Sequence, residues 1–519
     1  MEVGIVDSPA NSSPMRRTLN LTGVTVNAMA LIAPGAFLWI TYQVQASQTT
    51  PAGASTAMDM WPGMLFALVL AFLTAISYSE LAKIYPDAGT ASAYYFAEKA
   101  FLDKNEPNHQ KWARIAKLAT GWAAHLFYWV YPGVMVAFMA VLISYILGLF
   151  GINLSVPADI AVGAVFSVLV GYIAFRGVNG STMTALLMNV IQLTALVFFA
   201  ILAIVYRLVN PTHATFVHAN ALSVILPHSM LGVLFQSTIA ILVFVGFESC
   251  TAFGAEAINP RRDIPRAVLI SLLIQGLVAY MFEYFAANFS LSNALVGAGA
   301  NGAKVTGWDA AAASSAPIGD MIHLYGDTIL GGIGFGLAVV IAITVALAIL
   351  GTTLACFNTG VRVSYAMAQD DEMPELLGLL HGKHATPHMA IWVMVVVSAI
   401  IGAVGTISVV GLTLITLASN LGTFVLYGLT CYWTIVAFGG RKEFNVFKHL
   451  LVPALGLLAN LAMLVTILFM GILGGGASQT ESVGALVVAL IWAVLSGIYV
   501  MLRNRATGRS LIVGTSAGA

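Results

Sequence analysis

The sequence predicts an all-α integral membrane protein with twelve transmembrane helices. Three observations carry that prediction. Of the 519 residues, 59% are hydrophobic and only 8% charged, against roughly 25% charged in soluble domains. The charges are also clustered. No Asp, Glu, Lys or Arg occurs from Thr18 to Met58, Leu118 to Ala158, Gly177 to Tyr206, Leu208 to Phe247 or His384 to Gly440. A helix crossing hydrocarbon needs about 20 apolar residues, so several of these gaps hold one span or two. Finally, the apolar stretches are continuous and not alternating, which selects helices over a barrel.

Twelve spans are predicted near 21–47, 61–82, 118–149, 158–175, 183–206, 231–257, 265–288, 328–366, 389–408, 411–437, 449–473 and 482–502. The basic residues test this count. With the N-terminus in the cytoplasm and the spans alternating, 20 of the 22 Lys and Arg residues fall inside, and only Arg207 and Lys304 fall outside. Cytoplasmic loops carry such an excess, and a miscounted span would scramble the split. Both termini are therefore expected in the cytoplasm, with the chain in the plasma membrane. The outer loop 289–327 is expected to carry a short surface helix from Pro317 to Tyr325, with the proline at its first position.

The expected organisation is a cytoplasmic tail (1–20), a transport core (21–437), two additional helices (438–502) and a second tail (503–519). Zero net charge gives no case for nucleic acid. Cys250, Cys356 and Cys431 lie in apolar segments and read as packed residues. No metal-binding pattern and no cofactor motif is found. Gly297-Ala-Gly299-Ala-Asn-Gly302 matches a dinucleotide fingerprint but lacks its strand–helix context. Gly514-Thr-Ser516-Ala-Gly518 lies in the tail, where no hydrolase sheet can follow.

Two spans contain helix breakers. Span 1 holds Ala33-Pro34-Gly35-Ala36; proline removes a donor and clashes with the preceding turn, and glycine adds freedom. Span 6 holds Val245-Gly246-Phe247-Glu248, where a glycine meets a mid-span carboxylate. Alone, the first reads as a kink and the second as close packing. Together they occupy corresponding positions if about 21–206 and 231–437 are two halves of an inverted repeat, the pattern that marks a secondary transporter's binding site.

The run Phe244-Val245-Gly246-Phe247-Glu248-Ser249, continuing through Glu256, Asn259-Pro260-Arg261-Arg262 and Ile264-Pro265-Arg266-Ala267, resembles the sixth-span signature of the amino acid–polyamine–organocation permeases. Tyr78-Ser79-Glu80-Leu81-Ala82 with Tyr85-Pro86-Asp87-Ala88-Gly89, Arg176-Gly177-Val178, and Arg362-Val363-Ser364-Tyr365-Ala366-Met367-Ala368 resemble further stretches of that family, in the same order.

The resemblance implies a leucine-transporter-type fold of five plus five helices with two extra, working by alternating access. It implies a small amino acid or amine as substrate. The substrate carboxylate would sit on backbone amides near Ala33, Pro34, Gly35 and Ala36, with Gly35 and Ala36 the available donors. Its amine would face carbonyls near Phe244 and Val245, beside Gly246. Here the span-1 break is Ala-Pro-Gly, and Gln192 stands where some members carry a lysine. Glu248 and Gln192 are the expected coupling or gating residues, with a proton or sodium as the coupling ion. Tyr128 and Phe247 are expected at the substrate. Glu283 is expected to reach interfacial water, and His125 to be a packed residue. A channel or sensor on the same scaffold is the alternative; a channel needs a polar pore lining or charged rings, which spans 9 to 12 lack. A membrane enzyme would need a catalytic set that Glu248 and His125 do not make.

Overall fold

The computed structural model describes residues 17–86, 93–104, 108–177, 182–209, 221–254, 256–299, 302–382, 384 and 386–507. Most of the predicted tails, and Asp87 to Gly89, Val178 and Lys383 between spans, lie outside the described residues.

Twelve described helices are long and apolar enough to cross a membrane. The first span is two helices, α1 (Leu21–Ile32) and α2 (Pro34–Ala46). α3 (Met60–Ile84) is followed by α4 (Ala93–Leu102), which lies in the long basic loop. Then come α5 (His109–Leu149), α6 (Val156–Phe175), α7 (Thr182–Val209) and a short α8 (Ala221–Ile225). The sixth span opens with α9 (Met230–Ala240), tightens into a 3₁₀ turn at Ile241–Val243, and resumes as a 3₁₀ segment, Phe247–Phe253. α10 (Pro260–Ser290) follows. The loop after it holds a hairpin of β1 (Val296–Ala298) and β2 (Lys304–Thr306), then α11 (Gly307–Ala313) and α12 (Pro317–Ile329). α13 (Gly334–Gln369), α14 (His388–Ile407), α15 (Val409–Phe438), α16 (Val452–Leu473) and α17 (Gly476–Thr507) complete the bundle.

The span count matches the sequence expectation, and so does a helix starting at Pro317. Span 3 differs at its start. α5 begins at His109 and carries Lys111, Arg114 and Lys117 in its first turns. Charge marks where a helix leaves hydrocarbon, not where its hydrogen bonding ends. The hairpin in the 289–327 loop carried no signal in the sequence.

Burial follows position. α2 is buried along its whole length and Phe235 to Cys250 lie almost entirely inside the protein, whereas α17 turns most of its surface outward. The two broken spans are thus the core. α5 packs against α13, α14 and α15. Small residues permit close approach of such helices: a Cβ on Gly402 would fall 2.4 Å from Val136 Cγ1.

Two features cover the ends of the broken pair. At the end carrying the basic loops, the Thr18 and Leu19 amides donate to Glu256 O at 2.9 and 3.0 Å, and Ile258 N–H returns a bond to Leu19 O at 2.9 Å. At the opposite end α12 lies over α2, so closely that a Cβ on Gly319 would meet Trp39 Cζ2 at 2.6 Å.

Candidate functional site

The span-1 break is one residue wide. A residue preceding proline is driven out of the α region, and Ala33 takes φ 33° and ψ 62°. Its N–H closes α1 on Met29 O at 3.1 Å, and its carbonyl accepts the first bond of α2 from Ala36 N–H at 2.9 Å. Pro34 stands at the first position of α2, where its missing donor costs nothing.

The two amides that the resemblance offers to a carboxylate are both engaged. Ala36 N–H is spent on Ala33 O, and Gly35 N–H donates to Gln192 Oε1 at 3.2 Å. Gln192 therefore caps α2 from α7, doing for its N-terminus what no N-cap side chain does. The fit depends on Gly35 lacking a side chain, since a Cβ there would come 2.9 Å from Gln192 Cβ.

Carbonyls toward the end of α1 are capped from neighbouring helices as well. Asn189 Nδ2 donates to Val26 O at 3.0 Å, and Gln275 Nε2 to Met29 O at 3.0 Å. Thr352 Oγ1 and the Tyr131 hydroxyl donate to Leu31 O at 2.7 and 3.3 Å. Gln192 and Gln275 both donate to Asn189 Oδ1, at 2.8 and 3.0 Å. One buried network of amides thus runs from the last carbonyls of α1 to the first amide of α2. Gln275 and Thr352 were missed in the sequence; their only signal was polarity on an apolar face.

The span-6 break faces the first directly. Gly246 has φ 118°, a conformation that L side chains rarely adopt. A Cβ there would stand 2.8 Å from Leu31 Cγ and 2.9 Å from both Leu31 C and Ile32 N. The carbonyls of Phe244 and Val245 lie between the two helical halves, outside either one. Phe244, Val245 and Phe247 are fully buried, and Phe247 packs against Tyr78 and Tyr427 with ring centroids 6.0 and 5.3 Å apart.

Glu248 is 1% exposed. Its Oε1 accepts from the Tyr128 hydroxyl at 3.0 Å, and its Oε2 from the Tyr427 hydroxyl at 2.7 Å and from Gly246 N–H at 3.0 Å. Three neutral donors converge on the two oxygens, the surroundings of an acceptor-only carboxylate. It ties α5, α15 and the span-6 break together. Tyr427 looked like any other aromatic in the sequence. Tyr128, expected at the substrate, has its hydroxyl on Glu248.

Glu283 differs from expectation. It does not reach interfacial water and is fully buried. Its Oε1 accepts from Gln45 Nε2 at 3.0 Å, while Oε2 has no partner among the described residues. α10 packs against α2, α8 and α11, and its Phe289 meets Tyr325 of α12. His125 is fully buried, its Nε2 2.9 Å from Ser364 Oγ and its ring stacked on Trp492, while its Nδ1 has no partner among the described residues. The three cysteines are buried and free.

The chain matches the amino acid permease family model over residues 23–507. It is 23% identical to the branched-chain amino acid permease BcaP of Bacillus subtilis, over 90% of this chain and 91% of that protein. It is 23% identical to the low-affinity putrescine importer PlaP of Escherichia coli K12, over 93% of each chain. It is 22% identical to the methylthioribose transporter of Bacillus subtilis, over 83% of each. Two broken spans meeting at Gly246 and a family match along nearly the whole chain lead to one conclusion: the protein is a membrane transporter of the amino acid permease family, within the amino acid–polyamine–organocation superfamily.

Proposed function

We propose that the protein is a secondary active transporter that moves amino acids or related amines by alternating access, with the substrate held between the two helix breaks. The contact of Gly246 with Leu31 and Ile32 carries this reading. It brings the non-helical backbone of span 6 against the end of α1 at the span-1 break, in one buried place where a substrate can satisfy groups that no water reaches. Spans 1–5 and 6–10 act as two inverted halves, the basic end faces the cytoplasm with both termini, and the protein works in the plasma membrane. The substrate amine lies toward the Phe244 and Val245 carbonyls. A carboxylate would have to displace Gln192 from Gly35 N–H. The substrates named for two relatives support both classes: branched-chain amino acids carry a carboxylate, and putrescine is an amine that carries none.

Sodium is not the coupling ion in this reading. The carbonyl end of a helix attracts cations, but Val26, Met29 and Leu31 already accept bonds from neutral donors. Their lone pairs serve Asn189, Gln275 and Thr352. A proton is the coupling ion we propose, and Glu248 serves as a gating brace.

A panel of leucine, methionine, putrescine and methylthioribose, tested for thermal stabilisation of the purified protein, checks the site. At least one should raise the melting temperature of wild type and leave Gly246→Leu unchanged. Equal stabilisation of both proteins would remove the substrate from the breaks.

A further inference from the structure

Glu283 has the opposite surroundings to Glu248. One amide hydrogen, from Gln45 Nε2, reaches Oε1 at 3.0 Å. Among the described residues no cation pairs with it and nothing bonds Oε2. The Gln45 amide has the complementary defect, because its Oε1 is a buried acceptor without a donor. An ionised carboxylate so enclosed costs several kcal/mol. A single proton on Oε2 changes this: it neutralises the acid and gives the orphaned Gln45 Oε1 a donor. An acid and a primary amide can pair through two such bonds, and only the proton is lacking.

The pair also joins a part that moves in any opening of this end. Gln45 lies in the last turn of α2, and Glu283 lies on α10. The same turn is tied by Gln236 Nε2, which donates to Gln45 O at 2.8 Å and Thr56 Oγ1 at 2.9 Å. Of the other ionisable groups around Glu283, Tyr325 of α12 packs on Phe289 with its buried hydroxyl unpartnered among the described residues, and the rest are engaged elsewhere or exposed. Tyr42 of α2 bonds Ser290 at 2.7 Å, and Asp59 before α3 accepts from His228 N–H at 2.6 Å and lies 3.7 Å from its ring. On α7, Arg207 donates to Asn288 and Tyr206 packs on Phe289. On α10 itself, Tyr280 and Tyr284 pack on Trp61. Asp309 of α11 is exposed, Glu248 is held by its own three donors, and α1 and α8 carry no ionisable side chain.

We propose that Glu283 is a proton-binding site built into the outer gate, loaded when α2 is seated and emptied to external water when α2 lifts. This rests on the orientation proposed above, in which α2 is the outward half of span 1. The proton comes from external water, binds Oε2 as the gate closes, and returns to water when hydration makes the ionised form affordable. Closure is thereby favoured by external acid, whatever substrate is carried.

The test needs no substrate. Ala46 is 5% exposed, so a cysteine there reports opening through its labelling by an impermeant maleimide. Rates are normalised at each pH to a cysteine at exposed Ala52, which removes the reagent's own pH dependence. In wild-type background the normalised rate should rise several-fold from external pH 5.5 to 8. In Glu283→Gln it should be low and flat. In Glu283→Asp, which keeps an acid but shortens its reach to Gln45, it should be raised throughout and still depend on pH. Wild-type pH dependence persisting in Glu283→Gln, or none in wild type, overturns the proposal. Intact pH-dependent labelling in a protein that transports none of the panel compounds would instead overturn the transport reading and leave this site standing.

Discussion

Gly246 stands against the broken end of α1 with no room for a side chain: a Cβ would lie 2.8 Å from Leu31 Cγ and 2.9 Å from Ile32 N. The second of these contacts is with backbone and cannot be relieved by a rotamer change. Gly246→Ala should therefore reduce uptake by at least an order of magnitude, because strain at φ 118° adds to the clash. Gly246→Leu should abolish it. Surface expression and helical circular dichroism should stay near wild type for the alanine variant. Uptake at the wild-type rate by either variant would remove Gly246 from the site.

The Gln192 cap on Gly35 predicts a graded series. Gln192→Leu leaves the Gly35 amide and one bond of Asn189 unmade, a loss of about 1–3 kcal/mol for each buried group. Its melting temperature and transport should both fall. Gln192→Glu keeps an acceptor for Gly35 and should recover part of the stability. Replacing sodium by choline should leave wild-type transport unchanged, because donors already occupy the α1 carbonyls.

Glu248 is held by three donors, and the two tyrosine variants each remove a different one. Tyr427→Phe and Tyr128→Phe should each cost about 1.5–3 kcal/mol, the range for bonds to a charged acceptor. Glu248→Gln turns an amide NH₂ toward donors at Gly246 and the tyrosines. Counterflow and pH-driven accumulation should then fall together. Loss of accumulation with counterflow intact would make Glu248 the coupling group itself.

A pH effect on stability is expected at the basic end. Lys117 Nζ lies 3.0 Å from Glu98 Oε1 and 2.9 Å from Asp370 Oδ2, and Tyr94 donates to the same Asp370 oxygen at 2.9 Å. Nearby Glu372 is 6% exposed. Burial pushes its carboxyl up from the ordinary 4.5 to about 7, against the opposing pull of Lys117. Its raised value means that the folded state holds the proton more tightly than the unfolded chain does. The resulting stability is fully present below pH 4.5 and is lost as pH rises through about 7. Glu372→Gln should flatten that fall and raise the melting temperature at pH 8, by up to roughly 3 kcal/mol of stability. A wild-type melting curve identical at pH 5.5 and 8, in detergent of constant composition, would contradict this.

Long apolar runs made the twelve spans legible, and Pro34 and Gly246 marked both breaks because each departs from regular helix for a local reason. Partners were harder to read. Gln192 meets Gly35 across 157 positions, and nothing in the neighbourhood of either residue announces the other. Tyr427 and Gln275 have the same cause: their roles depend on which helix they face, and helix rotation in a uniformly apolar bundle leaves little trace in sequence. Glu283 was misplaced for a related reason. Its distance from the end of α10 suggested water, but the hairpin, α11 and α12 that cover that end lie in a loop with no periodic pattern.

The most direct test of the central claim is uptake into proteoliposomes holding only this protein. Labelled leucine or putrescine would be followed under an inward proton gradient, without sodium, with and without unlabelled substrate inside. The account predicts accumulation above the external concentration that collapses with a protonophore, counterflow that survives it, and neither in Gly246→Leu. Downhill flux that shows no counterflow and responds to no gradient would make the protein a channel and contradict the account.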